Sequence, residues 1–251
     1  MSNYPGQIGL GLLIGFLVVL GPTESWADNG ATTRSPRSAA SSGDETDEFL
    51  EAEQLTLRYG DGRKKREVVV HKYISGKTKY HGKYTEWHQS GEKWKEGNYE
   101  NDLRVGEWKW WNEQGQLVKE AVFVEDKPDG VWKFYYDDGK LERTESWKNG
   151  VRDGVTQTYY PDGKQLKAEI NWQDGKRHGV ARQWYANGQL KTESEFLVNE
   201  RHGTWKEWYD SGQLRLSRGY RNGQRHGRNI EWDDEGIEIV NQDFRDGERV
   251  E

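Results

Sequence analysis

The sequence predicts an all-β protein, an elongated single-layer antiparallel sheet of tandem β-hairpin repeats. Three observations predict this fold. Four columns of glycine and aromatic residues recur seven times, with a period of 24 or 25 residues. Each period contains two strand-like runs separated by a Gly-containing turn, which is the pattern of a hairpin. No segment beyond an N-terminal leader has helical periodicity.

The composition favours a thin repeat sheet over a thick globular core. Of the 251 residues, 32% are hydrophobic and 32% are charged, yet the chain has 13 Trp, 13 Tyr and 30 Gly. So low an aliphatic content usually indicates disorder, but aromatic rings bury the most area per residue. Stacked repeats rich in rings and glycines satisfy both constraints.

Charge and cysteine content exclude several classes of protein. The formal net charge is -6, and a mildly acidic chain is a poor general nucleic-acid binder because phosphate neutralisation needs excess Lys and Arg. The chain has no cysteine. Disulfides, thiolate metal sites and a lipid-modified N-terminal cysteine are therefore excluded.

The first 27 residues have the pattern of a secretory signal peptide. Residues 8–20 are an apolar run, which is short for a membrane span of ~20 residues. Ser25 and Ala27 place small residues at the -3 and -1 positions of a cut after Ala27. We therefore expect export to the periplasm, the cell surface or the medium. Residues 2–7 lack Lys and Arg, so an uncleaved membrane tether and a misplaced start codon are the alternatives.

The segment between the leader and the repeats divides into a linker and a cap. Residues 28–48 are rich in Ser, Thr, Ala, Gly and Asp without periodicity, which predicts a disordered linker. Residues 49–81 resemble a degenerate hairpin, with a turn at 59–62 and a strand through 68–70. Terminal units of repeat arrays are usually atypical, so we interpret this hairpin as an N-terminal cap.

Residues 82–251 contain seven units, each defined by a first glycine and by an early aromatic five residues later. The first glycines are Gly82, Gly106, Gly130, Gly154, Gly179, Gly203 and Gly227. The early aromatics are Trp87, Trp111, Tyr135, Tyr159, Trp184, Trp208 and Trp232. Each unit is predicted to be one hairpin, and the extra residue of the fourth unit, within 164–166, is predicted to form a bulge beside the turn.

A second aromatic column predicts the pairing between units. This late aromatic is expected to face the second residue after the next unit's first glycine. The predicted pairs are Tyr99–Trp108, Phe123–Trp132, Trp147–Thr156, Trp172–Ala181, Phe196–Trp205 and Tyr220–Asn229. Five of the six contain one Trp and none contains two, which indicates volume compensation between cross-strand neighbours.

The unit consensus resembles the MORN repeat, in the variant form common in bacteria. The pattern is Gly-x-aromatic-x-x-aromatic-Tyr-x-x-Gly-x-Leu, followed by an aromatic and Asn/Asp-Gly; the run 203–214 matches best and 130–141 nearly as well. The resemblance implies modules for lipid contact, dimerisation or protein scaffolding, and some bacterial relatives are labelled antitoxin-like. Departures from the pattern stand at Thr156, Ala181, Asn229, Lys93 and Glu238.

A basic row beside the first glycines is the candidate binding edge. Its members are Arg177, His178, Arg201, His202, Arg225 and His226. Such a row could meet phospholipid headgroups or an acidic partner; the alternative is a row of turn residues that simply face water. A metal site is excluded, because equivalent positions two strands apart lie ~9.6 Å from each other and zinc ligands must share one ion at ~2 Å.

The aromatic columns have two interpretations. Rings could stack on sugars or bases, but rings at fixed repeat positions more often pack neighbouring units together. Trp94 and Trp110 lie outside the predicted pairs and are expected to be exposed, which makes them the better surface candidates.

The sequence predicts a binding protein that is not an enzyme and needs no cofactor. It contains no nucleophile–base constellation and no phosphate-binding glycine loop followed by a helix. The leading hypothesis is an exported scaffold for a protein partner. The alternatives are binding of an envelope ligand (lipid headgroup, peptidoglycan or glycan) and antitoxin-like binding of a cognate toxin.

Overall fold

The structure of the chain is a computed structural model, and it describes residues 47–250. These residues form seventeen β-strands and no helix, so this part of the chain contains no helix able to span a membrane. The strands are β1 Phe49–Arg58, β2 Lys64–Tyr73, β3 Thr78–Trp87, β4 Lys93–Glu100, β5 Leu103–Trp111, β6 Leu117–Val124, β7 Lys127–Tyr135, β8 Leu141–Lys148, β9 Val151–Tyr159, β10 Leu166–Gln173, β11 Lys176–Trp184, β12 Leu190–Leu197, β13 Glu200–Trp208, β14 Leu214–Arg221, β15 Gln224–Trp232, β16 Glu238–Arg245 and β17 Glu248–Val250. The predicted leader and all but two residues of the predicted linker lie outside the described residues.

The strands form one open antiparallel sheet in chain order. Each strand pairs with the next, from β1–β2 through to β16–β17. Among the described strands, only β1 and β17 have one neighbour, so these two are the sheet edges. The predicted all-β, single-layer hairpin array is confirmed.

The turns lie in two rows at opposite ends of the strands. Turns inside a unit, such as 136–140 and 209–213, form the tip edge, and turns between units, such as 149–150, form the joint edge. In the joint, Asn149 and Gly150 both have positive φ, 50° and 89°, as a tight antiparallel turn requires. In the fourth unit Gly163 N–H donates to Tyr160 O as in the other tip turns, but the outer bond runs from Tyr160 N–H to Gln165 O. The extra residue therefore lies directly after the turn, at the predicted place.

The predicted register between the strands of neighbouring units is wrong, and the error is the same at every joint. Tyr99 faces Arg104, and not Trp108, across the β4–β5 pair. The pairing passes directly from Glu96–Lys109 to Asn98–Val105. The three residues 106–108 of β5 therefore lie opposite a single residue of β4, Gly97. Every joint between units repeats this two-residue bulge at the first glycine, because the positive φ of that glycine interrupts the regular ladder.

Volume compensation between units is present, but its partner lies two residues away from the predicted one. The rings of Tyr99 and Trp108 still meet, with centroids 5.1 Å apart. The Trp108 indole covers Gly97, where an added Cβ would lie 2.3 Å from the ring. Three joints combine a tryptophan with Gly, Ala or Ser at this position, and the other three combine two side chains without tryptophan. The combinations are Gly97–Trp108, Ala121–Trp132, Glu145–Thr156, Ile170–Ala181, Ser194–Trp205 and Arg218–Asn229.

Alternation along the strands separates two faces. The ring face carries the buried apolar side chains, among them Val68, Trp108, Phe123 and Tyr220. The ladder face carries ion pairs across neighbouring strands. These include Lys109–Glu120 at 3.3 Å and Arg182–Glu193 at 2.8 Å. In this single-layer sheet, apolar side chains are therefore buried by neighbouring rings that cover one another on the ring face.

Hydrogen bonds tie consecutive units together along both edges. At the tip edge, the Tyr160 hydroxyl donates to Trp184 O at 2.7 Å and the Tyr185 hydroxyl to Trp208 O at 2.8 Å. At the joint edge, Gly150 N–H donates to Pro128 O of the preceding unit at 2.8 Å. These bonds cross from unit to unit outside the strand ladder, so they fix how one hairpin stacks on the next.

Candidate interaction surface

The three arginines of the predicted binding edge lie on the ring face. Each faces the late aromatic of the preceding unit: Arg177 opposite Trp172, Arg201 opposite Phe196 and Arg225 opposite Tyr220. Their guanidinium groups lie over rings of their own hairpins. The centroid distances are 4.3 Å from Arg177 to Phe196, 3.9 Å from Arg201 to Trp205 and 5.1 Å from Arg225 to Phe244.

The arginine column extends beyond the predicted edge. Arg104 lies 4.1 Å from the Phe123 ring and Arg152 lies 5.3 Å from the Trp147 ring. Pro128 occupies the same position in the remaining joint. A guanidinium that stacks on a ring is held flat and loses little rotamer freedom on binding. The structure therefore presents a row of oriented cations near the joint edge, which we call the arginine row.

The arginines of the row have different side-chain partners in different units. Arg104 bonds Asp126 at 2.7 Å and Arg152 bonds Glu145 at 2.9 Å. At the corresponding turn, Arg177 meets the neutral Asn199, whose Oδ1 accepts the Arg177 backbone N–H. Burial lowers the pKa of Arg177, and repulsion from Arg201 lowers it further. Where Arg104 has a carboxylate, Arg177 therefore has a neutral amide.

The histidines of the predicted edge point to the ladder face, because each follows its arginine by one residue. His226 accepts the backbone N–H of Asp246 through Nδ1 at 3.4 Å. Asp153 performs the same turn-capping role for Asp174 N–H at 3.2 Å. The Nδ1 atom of His202 is buried and has no hydrogen-bond partner. The six predicted residues therefore form two rows on opposite faces, and their role in binding stays a prediction.

The early aromatics that define the repeat lie on the ladder face, half-buried, one in each unit. Five of their backbone carbonyls accept a tyrosine hydroxyl bond at the tip edge. Tyr135 donates its own hydroxyl to Glu120 at 2.7 Å, and Lys93 lies 4.8 Å from the Trp111 ring. Contacts of this kind are packing contacts between units.

The arrangement of hairpins and their repeat pattern identify the family. The MORN repeat variant model matches six tandem segments that together cover more than half of the chain. The segments are residues 80–101, 104–125, 128–149, 152–174, 177–197 and 201–224. This chain belongs to the MORN repeat variant family. A search of curated proteins found no match.

The six matched MORN segments coincide with the hairpins β3–β4 through β13–β14. The seventh hairpin, β15–β16, lies largely beyond the match but repeats the same register, with Gly227 opposite Phe244. MORN repeats are in general protein-binding and membrane-binding modules, and the family is not known for enzymatic activity.

Two tryptophans proposed as surface candidates are not exposed in the MORN array. Trp110 packs on the ring face, 6.4 Å from the Phe123 ring centroid and 4.7 Å from Lys119 Nζ. Trp94 is half-buried beside His88, with ring centroids 5.9 Å apart. The expectation that they are exposed is wrong, since cations and rings on adjacent strands cover them.

Lys119 is a site that the sequence interpretation missed. Its ammonium lies over three rings, 4.7 Å from Trp110, 4.1 Å from Trp132 and 5.4 Å from Phe134. Burial lowers its pKa to about 8. The signal in the sequence was the basic column Lys95, Lys119 and Arg143 at one unit position, which the alternation of a single-layer sheet places among the rings.

The chemistry that these groups support is recognition through charge and stacking. The buried carboxylate of Glu86 forms ion pairs with Arg66 at 3.1 Å and Lys95 at 3.3 Å, and it accepts a hydrogen bond from the Tyr84 hydroxyl at 2.6 Å. Among the described residues, no group of three His, Cys, Asp or Glu side chains could hold a metal ion. In the described part of the chain, the arginine row repeats at five of the six joints between units, at Arg104, Arg152, Arg177, Arg201 and Arg225.

Proposed function

We propose that this MORN protein is an exported, non-enzymatic scaffold that binds a protein partner through the arginine row. The observation that carries the proposal is the stacking of the Arg177, Arg201 and Arg225 guanidinium groups on rings. Arginine held in this way is suited to bidentate contact with carboxylates. The proposed partner is therefore a protein with an extended acidic surface.

The spacing of the row supports an extended ligand. Equivalent positions in successive hairpins are two strands apart, ~9.6 Å, and each guanidinium is oriented by its own ring. A partner that contacts three units gains three charge-assisted contacts from a preorganised surface, which lowers the entropic cost of binding. Electrostatic attraction of this kind also accelerates association at low salt.

Export is supported by the leader alone. The apolar run 8–20 and the cleavage pattern at Ala27 have the features of a signal peptide. Cell fractionation tests this part, and N-terminal sequencing of the mature chain locates the cut. Recovery of the uncleaved protein in the cytoplasm would overturn the export proposal and favour antitoxin-like binding of a cognate toxin.

Partner binding is tested by affinity capture from envelope extract, with the chain from Asp28 onward as bait. We expect one protein to be captured saturably by the native chain. Changing Arg177, Arg201 and Arg225 to Ala should abolish capture, and changing them to Lys should weaken it because the planar fork is lost.

The matched control removes three cations from the ladder face: Lys109, Lys133 and Lys206 changed to Ala. This variant should capture the partner as the native chain does. Equal loss of capture in both triple-Ala variants would show that net charge, and not the arginine row, is recognised.

Binding of an anionic envelope lipid is the second candidate, and the same row favours it because phosphates also accept bidentate arginine contacts. Co-sedimentation with vesicles containing anionic lipid tests it, with neutral vesicles as control. Lipid recovery without any enriched protein would replace the scaffold proposal by envelope-ligand binding.

A further inference from the structure

The two edge strands of the sheet differ in length. β17 has three residues, of which Glu248 and Arg249 are charged, and a very short edge strand is one of the features that prevents pairing with another chain. β1 has ten residues and pairs with β2 along its length. On its other side, this strand presents a row of unpaired N–H and C=O groups to any chain that approaches.

β1 lacks the usual features that protect an edge strand. Its sequence contains neither Lys nor Pro, which natural proteins place on edges to prevent further pairing. Residues 51–57 pair with β2 without a bulge, so no local bend turns the edge away from an approaching strand. Within this run only Glu51 and Glu53 are charged, and residues 54–57 are uncharged.

The uncharged half of β1 carries two exposed leucines on the ring face. Leu55 lies opposite Val68 and Leu57 opposite Arg66 in the β1–β2 pair. Val68 is 1% exposed and belongs to the buried cluster, whereas Leu55 is 36% exposed and Leu57 is 49% exposed. The apolar ring face therefore continues to the edge of the sheet and ends at two leucines that no further described strand covers.

The charges on this face differ between the two ends of β1. Glu51 and Glu53 share one cation, Lys72, at 3.2 Å and 2.6 Å. At the other end, Tyr59 follows Leu57 by two residues and so lies on the same face. Lys65 Nζ lies 5.7 Å from the Tyr59 ring centroid, and in the part of the chain that the structure describes it forms no salt bridge. One end thus has an excess carboxylate and the other an unpaired ammonium group.

We infer that β1 pairs antiparallel with β1 of a second copy of this chain, so that two molecules form one continuous sheet. The free N–H and C=O groups of both edges then complete a ladder, as in other cases of strand addition. Both β1 and β2 precede the matched repeat segments, which begin at residue 80. The inferred contact is therefore made by the N-terminal cap and not by the repeats.

The ring face selects the register of this pairing. With Thr56 opposite Thr56 of the second copy, Leu55 of each chain lies opposite Leu57 of the other. The same register places Glu53 opposite Tyr59, which brings its carboxylate to the unpaired lysine of the second copy. Leucines thus meet leucines and opposite charges meet on a single face, and the two-fold symmetry produces each contact twice.

A contact of this kind closes on itself. Because β1 pairs with β1, both copies use the same edge and the assembly stops at two chains. Pairing of β1 with the C-terminal edge would instead leave a free edge at each end and continue. The overlap covers only residues 53–59 of each chain, and interfaces below about 1,200 Å² in total are typical of weak encounters. We therefore expect a reversible dimer.

Sedimentation equilibrium of the chain from Asp28 onward, up to about 1 mM protein, is the first test. The mass of the native chain should rise with concentration toward two chains and no further. Leu57→Lys places a protective edge residue in the contact and should weaken dimerisation at least about tenfold, equivalent to about 1.4 kcal/mol. Leu103→Lys, at a leucine that is 39% exposed on the interior strand β5, should dimerise as the native chain does.

An engineered thiol tests the register directly, because the chain has no cysteine. In the inferred dimer, Thr56→Cys places two thiols on directly opposite residues, whose Cα atoms are ~4.5–5.5 Å apart, within the range of a disulfide. Under mild oxidation this variant should form disulfide-linked dimers. Thr204→Cys makes the same change at an exposed threonine of β13 and should remain monomeric under the same conditions.

Three results would overturn the inference: a native chain that is monomeric up to about 1 mM, a mass that grows beyond two chains, or equal cross-linking of the two cysteine variants. Native-like dimerisation of Leu57→Lys would do so as well. Circular dichroism of each variant confirms that the sheet is retained.

Dimerisation needs no outside partner, so it can fail independently of the proposed function. Leu57→Lys keeps the whole arginine row and should capture the envelope partner even as a monomer. Normal dimerisation of the native chain without capture of any protein would overturn the scaffold proposal alone. Capture by a native chain that never dimerises would overturn the inferred dimer alone.

Discussion

The N-terminal and C-terminal parts of the sheet have the same backbone but pack differently. From Tyr84 to Trp147 the rings form one continuous cluster, and Trp108 at its centre is 1% exposed. Beyond β8 this continuity ends, because Thr156 and Ala181 replace tryptophan at the joint position. The comparison shows that ring packing is one of two ways to complete a joint between MORN units.

The second way uses polar side chains. In the N-terminal joints, the indole N–H groups of Trp108 and Trp132 donate to Asn98 O and Val122 O, at 3.2 Å and 3.0 Å. In joints without tryptophan, Ser146 Oγ donates to Val155 O at 3.0 Å and Asn171 Nδ2 donates to Val180 O at 2.6 Å. The bulges at Gly106 and Gly130 are thus bridged by an indole, and those at Gly154 and Gly179 by a small polar side chain.

The largest expected effect is the loss of the central tryptophan. Trp108→Ala removes a buried ring that contacts Tyr84 and Tyr99 and should cost about 3–5 kcal/mol in the free energy of unfolding. Trp205→Ala, outside the buried cluster, should cost less. Urea denaturation followed by circular dichroism measures both, and equal losses would contradict the difference between the two halves.

A methyl group at Gly97 tests the compensation between large and small residues. Gly97→Ala places a Cβ against the Trp108 ring and should cost about 1–3 kcal/mol through overpacking. The double variant Gly97→Ala, Trp108→Thr resembles the C-terminal solution and should cost less than the sum of the single changes. Additive losses would show that the two positions do not compensate for each other.

Lys119 gives the N-terminal half a distinctive pH dependence. Its folded pKa of about 8 lies below the unfolded value of 10.5, so the unfolded chain holds the extra proton between these values. The free energy of unfolding should therefore rise with pH through this window, by roughly 1–2 kcal/mol. Thermal denaturation between about pH 7 and 9 keeps the unfolded tyrosines, whose pKa is about 10, largely protonated.

The control for this pH dependence is Lys119→Met, which keeps a long side chain among the three rings and removes the titrating group. Its stability should vary little across the same window. A rise as steep as that of the native chain would assign the effect to another group.

The smallest expected effect concerns the tip edge, where the two halves are alike. Tyr160→Phe removes one hydroxyl bond to Trp184 O and should cost about 0.5–1.5 kcal/mol. Tyr209→Phe removes the same bond to Trp232 O at 3.0 Å and should cost a similar amount. A clear difference between the two would mean that the edges also differ along the sheet.

The sequence predicts the hairpins well because each turn is determined by residues within the turn itself. The positions of Gly139 and of Asn149-Gly150 indicate where each strand ends, and the structure places the turns there. The register between units was mispredicted, since counting outward from a turn assumes a regular ladder. The two-residue bulge at Gly106 breaks that ladder, although the recurrence of the glycine pointed to a special backbone conformation.

The candidate surface was only partly accessible to sequence reasoning. Arg177 and His178 are adjacent in the chain, and treating them as one edge overlooked that strand alternation separates them. The missing observation was that Phe196 lies beneath Arg177, which requires the register of the pairing. The three rings around Lys119 also depend on this register, although the basic column at its unit position was visible in the sequence.

The pairing of each strand with only its chain neighbours has a mechanical consequence. A force applied to the two ends of the array acts on an edge strand, whose hydrogen bonds then open one after another while the rest of the sheet stays intact. Such a sheet lengthens in steps of one hairpin under modest tension and shortens again by zipping the same hairpin back.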